Sequence, residues 1–176
     1  MEEAAVRFEL VDINEILKTL PHRYPMLLID KVINIRTDYS GIGIKNVTFN
    51  EPPFLGHFPD RPVYPGVMMI EAMAQTAGWL VIGVTKFTRM PFFAALKEAK
   101  LRSFVTPGQM LSLSAKLIHE GSGYAMAQAE IRHDGKRTCD AEITFRLVEF
   151  PNPEFRANME KMAGILQFPM EALTHG

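Results

Sequence analysis

Hydrophobic and polar residues alternate most regularly in the second half of the chain. Three runs, at residues 111–117, 125–132 and 139–147, place small or apolar side chains at every other position. Such alternation is typical of antiparallel strands with one buried face and one solvated face. Glycine-containing turns at residues 121–123 and 134–135 separate the runs. The pattern therefore predicts a three-stranded antiparallel meander.

A helical pattern occupies the middle of the chain. Residues 67–84 contain only three polar members, Glu71, Gln75 and Thr76, so a helix that is apolar nearly all round is predicted over residues 66–85. Its length approaches that of a membrane span. Carboxylates are rare inside membranes, however, and the alternating strands that follow are typical of a water-exposed sheet. We therefore predict a buried helix, with no membrane span, packed against the small alanines of the meander.

Shorter patterns complete the predicted fold. Asp12 and Glu15 have the spacing of a capping box, and Pro21 ends the helix predicted over residues 12–20. Further strands are predicted at residues 29–36, 41–49 and 92–103. The predicted fold class is α+β, with a curved antiparallel sheet wrapped around one long central helix.

The chain divides near residue 150. Residues 1–150 are predicted to form one domain, and residues 151–176 a helical extension. Within the extension, Asn152 is a candidate cap and Pro153 suits the first helical position. Apolar residues then recur at helical spacing, at Phe155, Met159, Met162 and Leu166. This stripe is expected to dock on the domain or on a partner subunit.

Composition narrows the class of protein. The chain has 176 residues, of which 22% are charged, and its net charge is −1. This balance argues against general binding of nucleic acid, which needs a basic excess. A single cysteine, Cys139, forms no internal disulfide, and the first residues do not have the basic and apolar regions of a signal peptide. We expect a cytoplasmic protein.

Residues 56–75 join a rigid loop to the apolar helix and carry one base and one acid. His57 lies in the loop, which is stiffened by Pro59, Pro62 and Pro65. Glu71 lies in the helix, where an ionisable group is costly to bury without a partner. An imidazole and a carboxyl group in dry surroundings are the usual tools for moving protons. Proton-transfer catalysis is therefore the leading hypothesis.

Two neighbours extend this candidate site. Gln75 follows Glu71 by one helical turn, so their side chains share a face. Gly66 opens the helix with a free N–H, and helix N-termini attract developing negative charge. Burial is expected to raise the pKa of Glu71 and favour its proton-donating form. His57 and Glu71 need not meet within one chain, because a symmetric dimer can place each helix against the other subunit's loop.

Four segments form longer motifs: residues 20–30 (LPHRYPMLLID), 46–48 (NVT), 50–52 (NEP) and 56–75. Together they resemble the β-hydroxyacyl-acyl carrier protein dehydratases of bacterial type II fatty acid synthesis, the FabZ type. The resemblance runs from about Leu10 to Val148. It implies a hot-dog fold and a homodimer with two shared active sites, often assembled as a trimer of dimers. It implies no metal and no organic cofactor.

The resemblance also implies roles for the site residues. His57 takes the α proton of a (3R)-hydroxyacyl thioester, and Glu71 assists loss of the β hydroxyl as water. The trans-2-enoyl product serves fatty acid or lipid A acyl chain synthesis. The Val63 carbonyl orients the His57 ring, the Gly66 N–H binds the thioester oxygen, and Gln75 holds Glu71 or the water. A sister family that also isomerises the double bond usually has Asp in place of Glu71, so isomerase activity is not expected.

The implied partner is an acyl carrier protein, which is acidic, so a basic rim near the tunnel mouth is expected. Lys97, Lys100 and Arg102 are the candidates, with a solvated basic edge as the alternative. Three aromatic residues are candidates for the acyl tunnel, although aromatic residues in strands are more often simply core: Tyr64, Phe92 and Phe93.

Other functions remain open from the sequence. A hot-dog thioesterase would hydrolyse the acyl thioester with the helix acid and water, leaving His57 incidental. An (R)-specific enoyl-CoA hydratase is less favoured, because its Asp–His motif is not seen. A non-catalytic acyl-binding subunit is a third alternative, although a mere binding site has no need of both His57 and Glu71.

Overall fold

A computed structural model describes residues 6–150 and Ala157. The helix predicted at residues 152–167 and the boundary of the extension at residues 151–176 lie outside the described residues, apart from Ala157. The described chain contains one seven-stranded antiparallel sheet in the order β1-β2-β3-β5-β6-β7-β4. The α+β class predicted from the sequence is confirmed.

The elements follow one another closely along the chain. The strands are β1 Val6–Val11, β2 Lys31–Arg36, β3 Ser40–Asn46, β4 Met90–Leu101, β5 Met110–Gly121, β6 Tyr124–His133 and β7 Lys136–Val148. The helices are α1 Ile13–Thr19 and α2 Gly66–Val84, and a short 3₁₀ turn spans Pro52–Leu55. The predicted meander corresponds to β5, β6 and β7. Strand β1 was not predicted.

Helix α1 begins with the capping box predicted from the sequence. The Asp12 carboxylate accepts from the N–H groups of Asn14 and Glu15 at 2.7 and 3.2 Å. The Glu15 carboxylate accepts from the Asp12 N–H at 3.2 Å in return. These bonds satisfy donors that a helix start otherwise leaves without partners. The helix ends at Thr19, three residues before His22, and therefore determines where the segment that carries His22 begins.

Helix α2 packs against one face of the sheet. It contacts β3, β4, β5, β6 and β7, and the inward alanines of β6, Ala125, Ala127 and Ala129, are buried. Small side chains let a helix approach a sheet closely, so this packing explains the alanine-rich strand. By length and composition α2 qualifies as a membrane span, but 78% of its apolar window lies buried inside the fold. It is the core helix that the sequence predicts.

Gly43 in β3 shows how tight this contact is. A Cβ added there would overlap the side chain of Thr76, whose hydroxyl donates to the Ala72 carbonyl at 3.0 Å. We expect Gly43→Ala to lower the free energy of unfolding by about 1–3 kcal/mol, the range for an overpacked core. Urea denaturation measures the loss.

A second substitution tests the cause. Removing the obstructing side chain with Thr76→Ala should recover part of the stability lost in Gly43→Ala. Gly78→Ala serves as a control, because its added Cβ would meet only Pro91, at an ordinary 3.6 Å. A loss in Gly78→Ala as large as that in Gly43→Ala would contradict the steric explanation.

Candidate active site

His57 is held in one orientation by its own loop. Its Nδ1 lies 2.7 Å from the Val63 carbonyl oxygen, and the Val63 N–H donates to the His57 carbonyl at 3.0 Å. Because a carbonyl oxygen only accepts hydrogen bonds, Nδ1 carries the ring proton in this contact. Nε2 is then left with a lone pair that can accept a proton. The loop thus presents a preoriented base.

Gly66 starts helix α2 beside His57. Pro65 precedes it, and the Gly66 N–H donates no hydrogen bond to any residue in the described part of the chain. His57 and Gly66 line the same cavity, of about 250 Å³, which we call the His57 cavity. A free N–H at a helix start carries partial positive charge and suits an oxygen that gains negative charge during a reaction.

Gln75 fixes Glu71 and ties helix α2 to the segment after α1. Its Nε2 donates to Glu71 Oε1 at 2.9 Å and to the Met26 carbonyl at 2.7 Å. Its Oε1 accepts from the Leu28 N–H at 2.9 Å. Both amide hydrogens are therefore used, and the amide cannot rotate without breaking bonds. Gln75 therefore holds Glu71 in place while its own amide group is fixed by the backbone of Met26 and Leu28.

The expected rise in the pKa of Glu71 is wrong for the single chain. Burial does raise the pKa of this carboxyl group. Hydrogen bonds from His22 and Gln75, together with attraction by His22, outweigh burial, and the pKa lies below its usual value. The sequence prediction counted burial alone, because the contact with His22 depends on the fold.

His57 and Glu71 line two separate cavities in one chain. The His57 cavity includes Leu101, the last residue of β4. A second cavity of about 250 Å³ includes Glu71 together with Met90, the first residue of β4; we call it the Glu71 cavity. The two cavities therefore open near opposite ends of the same strand. One chain supplies both halves of a possible acid–base site without joining them.

The predicted tunnel residues divide between these cavities. Phe92 and Phe93 line the Glu71 cavity and are 51% and 46% exposed, so they are not core residues of the single chain. Tyr64 lines the His57 cavity but is 1% exposed. Burial and the nearby Glu51 carboxylate raise the pKa of Tyr64 well above its usual value. Tyr64 therefore forms the floor of its cavity as an uncharged phenol.

The predicted basic rim consists of paired charges. Lys97 lies 3.7 Å from Glu142, Lys100 3.9 Å from Glu98, and Arg102 2.6 Å from Asp140. The three basic side chains remain 41–68% exposed, so they can still contact a partner. Their net positive field is reduced by the neighbouring carboxylates.

His22 contacts the candidate site, although the sequence patterns assigned no role to it. It lies within the motif at residues 20–30, and its Nε2 is 3.2 Å from Glu71 Oε1. The motif at residues 20–30, which contains His22, is the sequence feature that could have indicated a role for it.

Among the described residues, no group of three or more His, Cys, Asp or Glu side chains is placed to hold one metal ion.

Solved structures with the same architecture include two of similar extent. The dehydratase heterocomplex ApeI:P from Xenorhabdus doucetiae matches with a TM-score of 0.62 and 20% identity, covering 82% of this chain and 95% of that chain. A mutant thioesterase PA1618 from Pseudomonas aeruginosa matches with a TM-score of 0.62 and 15% identity, covering 80% and 96%. At these identities the likeness shows the fold alone, and it confirms the predicted hot-dog architecture.

Sequence comparison identifies the family. The model of the FabA-like domain matches residues 20–142. The 3-hydroxyacyl-[acyl-carrier-protein] dehydratase FabZ of Bradyrhizobium diazoefficiens is 51% identical over 153 residues, covering 84% of this chain and 99% of the relative. The enzyme of the same name from Rhodopseudomonas palustris is 50% identical over 152 residues, covering 84% and 99%. The chain belongs to the FabA-like family, among its FabZ-type dehydratases.

Proposed function

We propose that this protein removes water from (3R)-hydroxyacyl thioesters carried by acyl carrier protein, giving trans-2-enoyl thioesters for fatty acid or related lipid synthesis. The observation that carries the proposal is that one chain holds both a base oriented by the Val63 carbonyl and a carboxyl group fixed by Gln75, each in its own cavity. The curated relatives named for this activity match the chain over nearly their whole length.

The proposed reaction assigns a separate role to each site residue. His57 Nε2 takes the α proton, and the Gly66 N–H stabilises the negative charge that develops on the thioester oxygen. The C–O bond at the β carbon then breaks, and the leaving hydroxyl takes a proton from the Glu71 carboxyl group and departs as water. The α proton now on His57 passes to the Glu71 carboxylate, so both side chains end the turnover in the protonation states in which they began it. Gln75 holds the carboxyl group in position throughout.

A homodimer completes the site in this proposal. Strand β4 lies at one edge of the sheet, and every residue from Phe92 to Leu101 is exposed. An uncovered edge strand offers its N–H and C=O groups to another chain. When two copies pair antiparallel through β4 about a two-fold axis, the start of one strand lies beside the end of the other. The Glu71 cavity of each subunit then meets the His57 cavity of its partner. Three such dimers can assemble into the hexamer implied by the resemblance.

Assembly also favours the acidic form of Glu71. Its side chain is 23% exposed in the single chain. A partner subunit and a bound acyl chain remove water from this side chain, and loss of water raises the pKa of a carboxyl group. The form of Glu71 that can donate a proton is therefore more abundant in the loaded dimer than in the separate chain.

The proposed partner and location follow from the substrate. An acidic carrier protein contacts the exposed sides of Lys97, Lys100 and Arg102, and Phe92, Phe93 and Tyr64 line the path of the acyl chain. The enzyme acts in the cytoplasm and needs neither a metal nor an organic cofactor for the steps above.

A purified-enzyme assay on carrier-linked substrates of graded chain length tests this function. We expect reversible loss of water from the hydroxyacyl substrate, with a rate that falls as salt screens the contact with the carrier. Release of free acid would indicate a thioesterase instead. Binding without conversion would indicate a non-catalytic acyl-binding subunit. A rate that does not depend on salt would remove the proposed role of the basic rim.

Mixing two inactive variants tests the shared site. A mixed dimer of His57→Ala and Glu71→Gln retains one intact site, formed by the unaltered acid of one subunit and the unaltered base of the other. Random exchange makes half of the dimers mixed, so about one quarter of the parent activity should return. No recovery under conditions that allow exchange, or a fully active monomer in sedimentation, would contradict the dimeric site.

A further inference from the structure

His22 contacts the proposed acid and lies in the same cavity. Its Nε2 is 3.2 Å from Glu71 Oε1, and both residues line the Glu71 cavity. His22 follows helix α1, whereas Glu71 lies in helix α2, so the contact joins two parts of the chain that are distant in sequence. The pairing is part of the tertiary structure and not a product of helix spacing.

The two oxygens of the Glu71 carboxyl group have different surroundings. Oε1 faces two donors, Gln75 Nε2 at 2.9 Å and His22 Nε2 at 3.2 Å. Oε2 makes no hydrogen bond to any residue in the described part of the chain. Donors on one side fix the carboxyl plane. The other oxygen is then left for a substrate.

The backbone on either side of the His22 ring is fixed by the neighbouring side chain of Arg23. Arg23 Nη1 donates to the carbonyl oxygens of Leu20 and His22 at 2.9 and 2.7 Å, which fixes the backbone on both sides of the ring. The Nδ1 atom of His22 is buried and has no hydrogen-bond partner among the described residues. A buried polar atom without a partner destabilises a fold and calls for an explanation. The other ring nitrogen, Nε2, lies 3.2 Å from Glu71 Oε1, and this is the one carboxylate contact of the ring within residues 6–150.

We propose that His22 is a positioning residue for the dehydration reaction, with its Nε2–H holding Glu71 Oε1 so that Oε2 faces the leaving hydroxyl group. This inference rests on the proposed function. In the step concerned, the O–H bond of the Glu71 carboxyl group breaks, the proton passes to the hydroxyl oxygen, and the C–O bond of the substrate breaks to release water. His22 keeps its own proton and stabilises the carboxylate that remains.

Two substitutions separate positioning from simple packing. His22→Phe keeps a ring but removes the donor, whereas His22→Gln places an amide N–H near the position of Nε2. We expect His22→Phe to lower kcat by up to about 100-fold with little change in KM, since a displacement of about 1 Å of a catalytic group has effects of this size. His22→Gln should recover most of the lost rate.

The pH profile provides a readout that packing alone would not move. The hydrogen bond from His22 lowers the pKa of Glu71, so the limb of the profile assigned to Glu71 should move to higher pH in His22→Phe and return in His22→Gln. His119→Phe is the matched control. His119 is an exposed histidine outside both cavities, and its ring stacks on Tyr124 with 4.5 Å between centroids.

The possible outcomes are distinct. An active parent enzyme whose kcat and pH profile are unchanged in His22→Phe would overturn the positioning role. Equal losses in His22→Phe and His22→Gln, accompanied by a lower melting temperature, would overturn it too, because they would show a packing role. A parent enzyme that does not dehydrate the carrier-linked substrate would overturn the proposed function, and the inference with it.

Discussion

We expect His57→Ala to lower the rate of dehydration by about 10² to 10⁴, the usual effect of removing a general base. Within residues 6–150 the ring makes one hydrogen bond, from Nδ1 to the Val63 carbonyl, and alanine provides no group to accept the α proton. The loss should fall on kcat, since the proposed contacts with the carrier and the acyl chain are made by other residues. Steady-state kinetics on a carrier-linked hydroxyacyl substrate measures it.

A second histidine provides the control. The Nδ1 of His133 lies 3.1 Å from the Met110 carbonyl oxygen, a contact of the same kind outside both cavities. His133→Ala should keep the parent rate.

Glu71→Gln should match the loss in His57→Ala, because an amide fills the same space but is not an acid. Near-parent turnover in either site variant would remove that residue from the mechanism.

Lys45→Met is expected to have the largest effect on stability. Lys45 is 3% exposed, and its Nζ lies 2.8 Å from Glu51 and 5.0 Å from the centre of the Tyr64 ring. Without Lys45, the Glu51 carboxylate, which is 16% exposed, is left without a neighbouring cation. Removing one partner of a buried ion pair destabilises a protein by about 3–5 kcal/mol. For a chain of this size that lowers the melting temperature by roughly 6–20 °C.

An exposed pair of equal length tests the role of burial. Lys116 lies 2.8 Å from Asp38, but these side chains are 55% and 33% exposed. Lys116→Met should change stability by no more than about 1 kcal/mol. Replacing both members of the buried pair, Lys45→Met with Glu51→Gln, should cost less than Lys45→Met alone. Equal losses in the two lysine variants would show that burial does not govern the effect.

The main elements were predictable because their signals are local. The capping box at Asp12 and the alternation in β5, β6 and β7 depend on residues near each other in the chain. Strand β1 carries the same kind of signal, since Val6, Phe8 and Leu10 alternate with polar residues. It was missed because the run is short and adjoins a helix cap.

The site was predictable in its parts but not in its arrangement. His57, Val63, Gly66, Glu71 and Gln75 lie within one stretch, and the structure shows the contacts of His57 with Val63 and of Glu71 with Gln75. Their catalytic roles stay predictions. The division between two cavities depends on where β4 lies in the sheet, which local patterns do not show.

The electrostatics of Glu71 could not be read from the sequence for a related reason. Its pKa depends on donors as well as on burial, and one donor, His22, comes from a distant segment. Similarly, the charges of Lys97 and Arg102 suggested a basic surface, whereas their neighbours on β7, Glu142 and Asp140, became apparent only in the folded sheet.

The uncovered edge of β4 offers a route to inhibition that avoids the reaction chemistry. A peptide with the β4 sequence, Met90–Leu101, can add to this edge as an extra strand. In the proposed dimer, such a peptide would take the place of the second copy and separate the base from the acid while leaving both side chains intact. Its kinetic signature follows: inhibition is relieved by raising the enzyme concentration, and not by raising the substrate concentration.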